Sequence, residues 1–381
     1  MKNNLKRRVW VEIDLRRISS NYRKIAAAVK PAAVLAVLKA NAYGLGVLPY
    51  ARTLAKTDCA GFGVAEPFEA MQLMEWQANE RPGETIPVQI LSSILPDEIP
   101  AMVEAGVALP VIDLRTAKLI SAAAARLHCV AKVHFKLDTG MGRLGIRAED
   151  APQVIREVKA LPNLDCEGIF SHCPMAYDPE NTFTEDQIET FLAILRDAAK
   201  GGIHFRKVHI AASDAINNFP RCAKPPFTQV RTGINLHGSF DPFGRKSLKV
   251  ESVLTLKTRI AQVRDLPAGT TLGYGRTWCL ARRTRVATIS AGYADGLPLA
   301  LTNRGHVLVN GIPCPIIGRI SMDYTTVDVS HAPKAKPGDE VICLGEANGH
   351  KITPDDWATL KGTHAYDIIC SFGNRVERVY V

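Results

Sequence analysis

Short apolar runs alternate with amphipathic segments along the chain between about residue 15 and residue 240. Apolar runs that end at turn residues are typical of strands in a parallel sheet, whereas apolar residues three or four apart are typical of helices. The pattern predicts strands over residues 34–38, 61–65, 87–92, 108–113, 131–137, 167–171, 207–211 and 230–238. It predicts helices over residues 18–29, 47–56, 66–75, 97–105, 115–126, 150–159, 184–200 and 214–218.

Eight predicted strands separated by helices are the count of an α/β fold of the closed (β/α)8 TIM-barrel type. An open, doubly wound sheet is the alternative. That fold often carries a Gly-x-Gly-x-x-Gly turn after its first strand, and no such motif follows residues 34–38. The sequence therefore favours the barrel.

The pattern changes after about residue 243, where short β-branched runs replace helical periodicity. The runs predict strands over residues 250–260, 284–289, 306–309, 315–317, 340–344 and 376–380. Asn310-Gly311 between two of them is a strong hairpin signal. We therefore predict a barrel domain over residues 1–243 and an all-β domain over residues 244–381. The run at 9–13 is also a predicted strand, and it can join either domain.

Composition narrows the class of protein. The chain has 381 residues, 46% hydrophobic and 22% charged, as in ordinary globular proteins. No apolar stretch approaches the length of a membrane span, and the polar start Met1–Asn4 does not resemble a signal peptide. The nine scattered cysteines include no Cys-x-x-Cys pair, which argues against a disulfide framework or a zinc site and indicates the cytoplasm.

The net charge of +9 raises the question of an anionic partner. The basic residues are dispersed, and the longest basic run is Lys6-Arg7-Arg8. No nucleic-acid-binding motif accompanies it, so we expect no nucleic-acid partner. A small ligand that bears a phosphate or carboxylate accounts for the positive charge better than nucleic acid does.

Lys39 is the most informative candidate for chemistry, because it follows the first predicted barrel strand directly. Barrel enzymes build their active sites at the C-terminal ends of the strands. A partly desolvated lysine loses its proton more easily and can attack a carbonyl to form a Schiff base. The alternative is a lysine that merely extends to solvent from a strand end.

Further reactive side chains fall at the C-terminal ends of other predicted strands. These candidates are Lys136, His172, His209, Ser213, Arg231 and Gly233. A single histidine in an apolar strand is usually a hydrogen-bonded core residue. Reactive side chains at five strand ends, however, fit a phosphorylated aldehyde cofactor. Lys39 would form the imine with the aldehyde, and Arg231 would face a ring nitrogen. Ser213, the amides around Gly233 and a tyrosine would then hold the phosphate.

Five motifs, in order along nearly the whole chain, resemble those of the alanine racemases. They are V-L-K-A-N-A-Y-G-L-G at 37–46, D-T-G-M-G-R-L-G at 138–145, L-G-Y-G-R-T-W at 272–278, G-Y-A-D-G at 292–296 and G-R-I-S-M-D at 318–323. The resemblance implies a fold-type III pyridoxal 5'-phosphate enzyme with a barrel and a β domain. It also implies a homodimer with shared active sites that interconverts L-alanine and D-alanine, supplying D-alanine for peptidoglycan.

The resemblance also implies a role for each matching residue. Lys39 would hold the cofactor and act as the base for D-alanine, and Tyr274 would be the base for L-alanine, contributed by the partner subunit. Arg143 and the amide of Met322 would bind the substrate carboxylate. The remaining implied residues are Tyr43, Ser213, Gly233, Ile234 and Tyr366 for the phosphate, Arg231 with His209 behind it for the ring nitrogen, His172 near Tyr274, and Tyr293 and Asp323 at the substrate entrance.

Lys136 matches a lysine that is often carbamylated in this family, and we expect a carbamate here that orients Arg143. An ordinary ion pair with Asp138 is the alternative. Leu236-His237-Gly238 departs from the family, whose members often have tyrosine before the glycine.

Three other functions remain open from the sequence. They are a barrel-type amino-acid decarboxylase, a racemase of broader substrate range and a non-enzymatic pyridoxal-phosphate carrier. Decarboxylases typically place a carboxylate against the ring nitrogen, which disagrees with Arg231. Carriers resemble the barrel alone, and this chain has a second domain.

Overall fold

The predicted alternation of strands and helices is present in the first two thirds of the chain. The protein is described by a computed structural model that covers residues 7–381. The elements in order are β1 (Val9–Ile13), α1 (Leu15–Val29), β2 (Ala33–Val37), α2 (Lys39–Tyr43), α3 (Val47–Leu54), β3 (Gly61–Val64), α4 (Pro67–Glu80), β4 (Val88–Ile90), α5 (Ile99–Glu104), β5 (Leu109–Val111), α6 (Leu114–Arg126), β6 (Ala131–Asp138), β7 (Ile146–Arg147), α7 (Ala151–Lys159), β8 (Leu164–Phe170), α8 (Phe183–Lys200), β9 (Lys207–His209), α9 (Ser213–Asn218) and β10 (Gln229–Thr232).

Eight parallel strands close into the predicted barrel. One arc has the order β10-β2-β3-β4 and the other the order β5-β6-β8-β9. A parallel bridge between Gln89 and Ala108 joins the arcs on one side. On the other side, the amide of Thr228 donates to the carbonyl of Val208 at 3.0 Å. The (β/α)8 prediction is confirmed, and the strand ends that carry the candidate residues meet at one mouth.

The last barrel strand is shorter than predicted. The sequence predicted a strand over 230–238, but β10 ends at Thr232 and a 3-10 turn over Ile234–His237 follows. The strand ends here because the amide of Gly233 donates to the hydroxyl of Ser213 at 3.1 Å instead of to a neighbouring strand. The turn thereby brings backbone amides to the barrel mouth.

The second part of the chain is mostly β. Its elements are β11 (Leu254–Leu266), β12 (Thr271–Leu272), β13 (Trp278–Cys279), β14 (Thr284–Ile289), β15 (His306–Val309), β16 (Ile312–Pro315), β17 (Thr325–Asp328), β18 (Glu340–Ala347), β19 (His350–Ile352), α10 (Pro354–Lys361), α11 (Ala365–Cys370) and β20 (Glu377–Tyr380). The expectation of an all-β domain is wrong at α10 and α11. Thr353 and Asp356 form a capping box that starts α10, with Pro354 in its first turn, and this is a local sequence signal for the helix.

The hairpin prediction is confirmed, although its second strand lies at Ile312–Pro315 and not at 315–317. Asn310 and Gly311 have φ of 52° and 76°, as a tight turn between right-twisted strands requires. The strand at Val9–Ile13, which the sequence left unassigned, joins the second sheet between β11 and β20.

The second sheet contacts the barrel next to Lys39. Arg378 of β20 donates from Nε to the carbonyl of Gly44 at 3.0 Å, and the hydroxyl of Tyr380 donates to the carbonyl of Leu45 at 3.1 Å. The loop that follows Lys39 is thus fixed from both parts of the chain. Among residues 7–381, no helix has both the length and the apolar character needed to cross a membrane.

Candidate active site

Lys39 lies in a left-handed turn directly beyond β2. Residues 40–42 have φ between 51° and 54°. L-amino acids disfavour this region by roughly 1–2 kcal/mol per residue, so such a run persists only where other contacts hold it. The carboxylate of Glu69 accepts a hydrogen bond from the first amide of the turn, and Asn41 accepts one from the amide of Val47 at 2.8 Å. The turn therefore fixes Lys39 at the barrel mouth.

The surroundings of Lys39 lower the pKa of its amine. Desolvation lowers the pKa of Lys39, and the positive charges of Arg143 and Arg231 lower it further. The neutral amine is the form that attacks a carbonyl and accepts a proton. The surroundings of the predicted reactive lysine thus shift its amine toward that form.

Arg231, on β10, is buried and fixed by several acceptors. Its Nη1 lies 2.5 Å from Nδ1 of His209, and its Nη2 donates to the carbonyls of Ser171 and Ile210 at 2.7 and 2.9 Å. The same Nη2 lies 3.4 Å from Nδ1 of His172. The structure therefore brings together three of the predicted residues. Burial lowers the pKa of Arg231 to about 10, so the guanidinium remains charged at neutral pH.

The histidines beside Arg231 stay neutral. Desolvation and then the charge of Arg231 lower the pKa of His172 to about 3, and the same two causes lower the pKa of His209 well below its ordinary value. The ring of His209 stacks on Phe170 with centroids 5.0 Å apart. A neutral, stacked histidine can accept a hydrogen bond from Arg231 and keep the guanidinium in place.

The residues predicted to hold a phosphate also converge. Gly233 approaches Tyr43 so closely that a Cβ on Gly233 would lie 2.0 Å from the tyrosine hydroxyl. Gly233 also donates to Ser213, and the rings of Tyr43 and Tyr366 lie 5.9 Å apart. Burial raises the pKa values of both tyrosines, so their hydroxyls remain protonated donors. With the buried Ile234 next in the chain, these residues form a small cradle of donors.

His237 is a supporting residue to which the sequence gave no role. Its Nδ1 lies 2.8 Å from the hydroxyl of Tyr50, and its ring meets Tyr43 edge-on at 4.7 Å. Desolvation lowers the pKa of His237 to about 3. The sequence signal for this role is the departure from the family pattern at Leu236-His237-Gly238. It places a histidine, where the family often has tyrosine, directly behind Tyr43.

Lys136 is buried at the barrel mouth and does not pair with Asp138. Its amine donates to the carbonyls of Leu91 and Ser92 at 2.6 and 3.2 Å. Desolvation, followed by the positive charge of Arg143, lowers the pKa of Lys136 to about 8. The alternative of an ordinary ion pair is therefore not realised here.

Asp138 instead organises the loop that carries Arg143. Its carboxylate accepts hydrogen bonds of 2.9 to 3.2 Å from three amides within 140–143, including that of Arg143. Burial raises the pKa of Asp138, but these amides outweigh burial and lower it overall. Arg143 itself is exposed at the barrel mouth.

The other predicted residues lie on an exposed face of the second part. Tyr274, Met322 and Tyr293 are 71%, 51% and 43% exposed, and Asp323 is exposed beside Met322. Tyr274 lines a groove of about 360 Å³ together with Gly273, Arg319, Ser321, Tyr324 and Thr326. A single chain thus divides the predicted residues between the barrel mouth and this exposed face.

Because His237 is buried, we predict that it lowers the free energy of unfolding in acid. Its pKa of about 3 lies below the ordinary histidine value of about 6.5. The unfolded chain therefore binds more protons between these pH values, and the free energy of unfolding falls as pH falls through that window. Between pH 6.5 and 5.0, we expect His237 to contribute a loss of about 2 kcal/mol.

His237→Gln removes this titration and keeps an acceptor for Tyr50. Urea unfolding at the two pH values should show a smaller acid-induced loss in the variant than in the parent. His204→Gln, at an exposed position, serves as the control and should leave the pH dependence unchanged. An equal acid-induced loss in His237→Gln and the parent would refute the prediction.

The residues at the mouth fit a phosphorylated aldehyde cofactor. They supply an amine with a lowered pKa, a fixed guanidinium and a donor cradle in which Gly233 leaves no room for a side chain. The fold and this site define a pyridoxal-phosphate-dependent enzyme built from a barrel and a mostly β domain.

Comparisons with known proteins identify the family. The family model "Alanine racemase, N-terminal domain" matches residues 13–241, and "Alanine racemase, C-terminal domain" matches residues 253–380. The alanine racemase of Halothermothrix orenii is 35% identical over 100% of this chain and 98% of its own length. The chain belongs to the alanine racemase family, which is a family of isomerases.

Two solved structures show the same fold with relevant ligands. Alanine racemase from Bartonella henselae, with covalently bound pyridoxal phosphate, is 28% identical with a TM-score of 0.86, over 99% of this chain and 100% of that one. The Bacillus anthracis enzyme, with bound L-Ala-P, is 29% identical with a TM-score of 0.86, over 100% of this chain and 96% of that one. The match over both parts of the chain sets aside the decarboxylase and carrier alternatives.

Proposed function

We propose that this chain interconverts L-alanine and D-alanine with pyridoxal 5'-phosphate, by two bases on opposite faces of the substrate. The observation that carries the proposal is the convergence of Lys39, Arg231 and the Tyr43–Gly233 cradle at one barrel mouth. Racemisation requires removal of the α-proton on one face and return of a proton on the other. D-alanine for peptidoglycan is the product that we propose this reaction supplies.

Lys39 would hold the cofactor through its amine and serve as the base for D-alanine. Tyr274 of the partner subunit would serve as the base for L-alanine, with His172 beside it. Tyrosine ordinarily has a pKa of about 10, so a tyrosine base needs cationic or hydrogen-bonding neighbours. The charges of Arg143 and Arg231 at the mouth support this assignment, because they favour an anionic neighbour.

The remaining residues would bind and orient. When bound, the cofactor delocalises the electron pair that remains when the α-proton leaves. Arg231 would donate toward the pyridine nitrogen and leave that nitrogen unprotonated, because a guanidinium keeps its own proton at neutral pH. A weaker electron sink favours reprotonation over transamination. The phosphate would be held by Tyr43, Ser213, Gly233, Ile234 and Tyr366.

The substrate carboxylate would be bound by Arg143 and by the amide of Met322 of the partner subunit. Tyr293 and Asp323 would line the entrance. The exposed position of Tyr274 and Met322 supports a homodimer, because a polar rim and a cluster of exposed aromatic residues are typical of an interface. The apolar groove around Tyr274 would then face the partner's barrel.

Two broader assignments belong to the same proposal. We place the domain boundary between residues 243 and 244, with the strand at 9–13 added to the second domain. We also propose the cytoplasm as the compartment, which the nine free cysteines support because thiols persist in a reducing environment.

We further propose that Lys136 carries a carbamate that orients Arg143. Carbon dioxide reacts with a neutral amine, and the pKa of about 8 leaves much of this amine neutral near pH 8. Two cations near Lys136 would stabilise the negative charge of the carbamate, those of Arg143 and Arg231.

Labelling with 13C-bicarbonate tests the carbamate. We expect a carbamate resonance at about pH 8 that weakens toward about pH 6, because protonation of the Lys136 amine opposes the modification. Lys136→Met should remove the resonance, and Lys132→Met, at an exposed position on the same strand, should keep it. A resonance that persists in Lys136→Met would contradict the assignment.

Mixing two inactive variants tests the shared site. In a heterodimer of Lys39→Ala with Tyr274→Phe, one barrel keeps Lys39 and receives an intact Tyr274 from the partner subunit. Unfolding and refolding the variants together should restore D-alanine formation to about a quarter of the parent activity, since half of the random dimers each have one complete site. Activity that stays at the level of the separate variants would show that Tyr274 does not act across subunits.

A further inference from the structure

Arg375 connects three segments of the second domain. It pairs with the buried carboxylate of Asp295 through Nε and Nη2, at 2.7 and 3.0 Å. Its Nη1 contacts Asp323 at 2.7 Å, and its Nη2 also donates to the carbonyl of Met322 at 3.3 Å. One guanidinium therefore holds the exposed loop that contains Met322 to a buried anchor.

Backbone hydrogen bonds extend this connection to Tyr293. The amide of Tyr293 donates to the carbonyl of Ser321 at 3.0 Å, and the amide of Ala294 donates to the carbonyl of Met322 at 3.1 Å. Gly292 lies so close to this loop that a Cβ there would meet the Ser321 carbonyl at 2.2 Å. The segments around Tyr293 and Met322 are therefore joined into one hydrogen-bonded unit.

The anchor of the unit is Asp295, which is 1% exposed. The amide of Gly292 donates to its carboxylate at 2.9 Å, and Arg375 supplies the compensating charge. A buried carboxylate needs such a charged partner, because desolvation without one is costly. The hydrogen bonds to Asp295 and Asp323 raise the pKa of Arg375, so its guanidinium stays charged.

The outer part of the unit is exposed. The side chain of Arg375 is half exposed, as are Asp323 and Met322. In addition to the backbone hydrogen bonds, the guanidinium of Arg375 ties this exposed loop to the buried Asp295, so the geometry of the loop depends in part on that contact. This distinguishes Arg375 from an arginine that merely stabilises the domain interior.

We propose that Arg375 is a positioning residue that sets the Met322 amide, together with Tyr293, at the geometry needed to bind the substrate carboxylate in the partner's barrel. The inference rests on the proposed function, because it requires that Met322 acts across the dimer. Arg375 itself touches neither the substrate nor the reacting atoms. Its loss therefore weakens substrate binding and leaves the two bases in place.

The test is a steady-state comparison of holoenzyme variants in both reaction directions. Arg375→Met should raise KM for L-alanine and D-alanine about tenfold while kcat changes less than about threefold, because uniform binding is lost. Arg375→Lys should recover part of the affinity. Asp323→Asn, which weakens only the exposed link, should raise KM about threefold. Arg285→Met, which removes an ion pair with Asp265 in the same domain, is the matched control and should leave KM unchanged.

Sedimentation and cofactor absorbance accompany the kinetics. A rise in KM with an intact dimer and full cofactor loading supports the positioning role. An unchanged KM in Arg375→Met, or a loss of activity that only follows loss of the dimer, overturns it. If Arg375→Met does not fold, Arg375→Lys decides in its place, with a smaller rise in KM expected. A parent enzyme that fails to racemise alanine, or failed mixing of the two inactive variants, instead overturns the proposed function.

Discussion

Lys39→Ala should reduce racemisation by at least about a thousandfold in both directions, because it removes both the attachment point of the cofactor and one of the two bases. The amine is poised for both tasks by the lowered pKa that desolvation, Arg143 and Arg231 produce. No other side chain of the Lys39 turn carries an amine. D-alanine formation from L-alanine measures the loss, and the visible absorbance of the lysine-bound cofactor measures attachment independently.

Two controls separate chemistry from folding. Lys56→Ala, at an exposed position beyond α3, should retain activity and cofactor absorbance. Added methylamine should restore part of the activity of Lys39→Ala, because a small free amine can occupy the space that the substitution leaves. D-alanine formation at the parent rate by Lys39→Ala would refute the assignment, and failure of methylamine rescue in a folded dimer would argue that Lys39 acts mainly through structure.

The barrel could be predicted because each of its strands is buried on both faces and bounded by turn residues. This periodicity depends on local sequence alone, so the eight strands were found to within a few residues. The exception is the end of β10, where the side chain of Ser213 takes the amide of Gly233 away from the sheet. A contact between residues so far apart in the chain leaves no local pattern.

In the second domain, by contrast, some elements could not be predicted from local sequence. α10 is short and weakly amphipathic, so its only clear sequence signal is the cap at Thr353 and Asp356. The strand at Val9–Ile13 could not be assigned, because its partners β11 and β20 lie hundreds of residues away. Assignment of such a strand requires the tertiary fold.

The candidate site could be predicted where a sequence motif indicates the chemistry. Lys39 directly follows a predicted strand and Arg231 lies within one, and the structure places both at the mouth. Two supporting residues were not predicted: Glu69 accepts a hydrogen bond from the left-handed turn after Lys39, and His237 packs behind Tyr43. Supporting residues act by holding other side chains in place, so their residue types alone do not indicate a role.

Tyr274→Phe should also reduce steady-state racemisation by about a thousandfold in both directions, since every turnover needs both bases. The change removes only the hydroxyl of an exposed ring, so the fold and the dimer should be unaffected. Tyr324→Phe, in the same groove, has no assigned role in proton transfer and should retain activity. Parent-level racemisation by Tyr274→Phe would reject Tyr274 as a base.

Exchange in deuterated water assigns the two faces. In Tyr274→Phe, Lys39 can still remove and return the α-proton of D-alanine, so D-alanine should acquire deuterium while L-alanine does not. The lysine amine is a base for one face only, because the turn over residues 40–42 fixes where it can reach. Equal exchange of both enantiomers would mean that one base serves both faces, and it would reject the two-base assignment. Loss of exchange for both enantiomers in an intact, cofactor-loaded dimer would instead mean that Tyr274 positions the substrate, and the base for L-alanine would have to be sought elsewhere at the mouth.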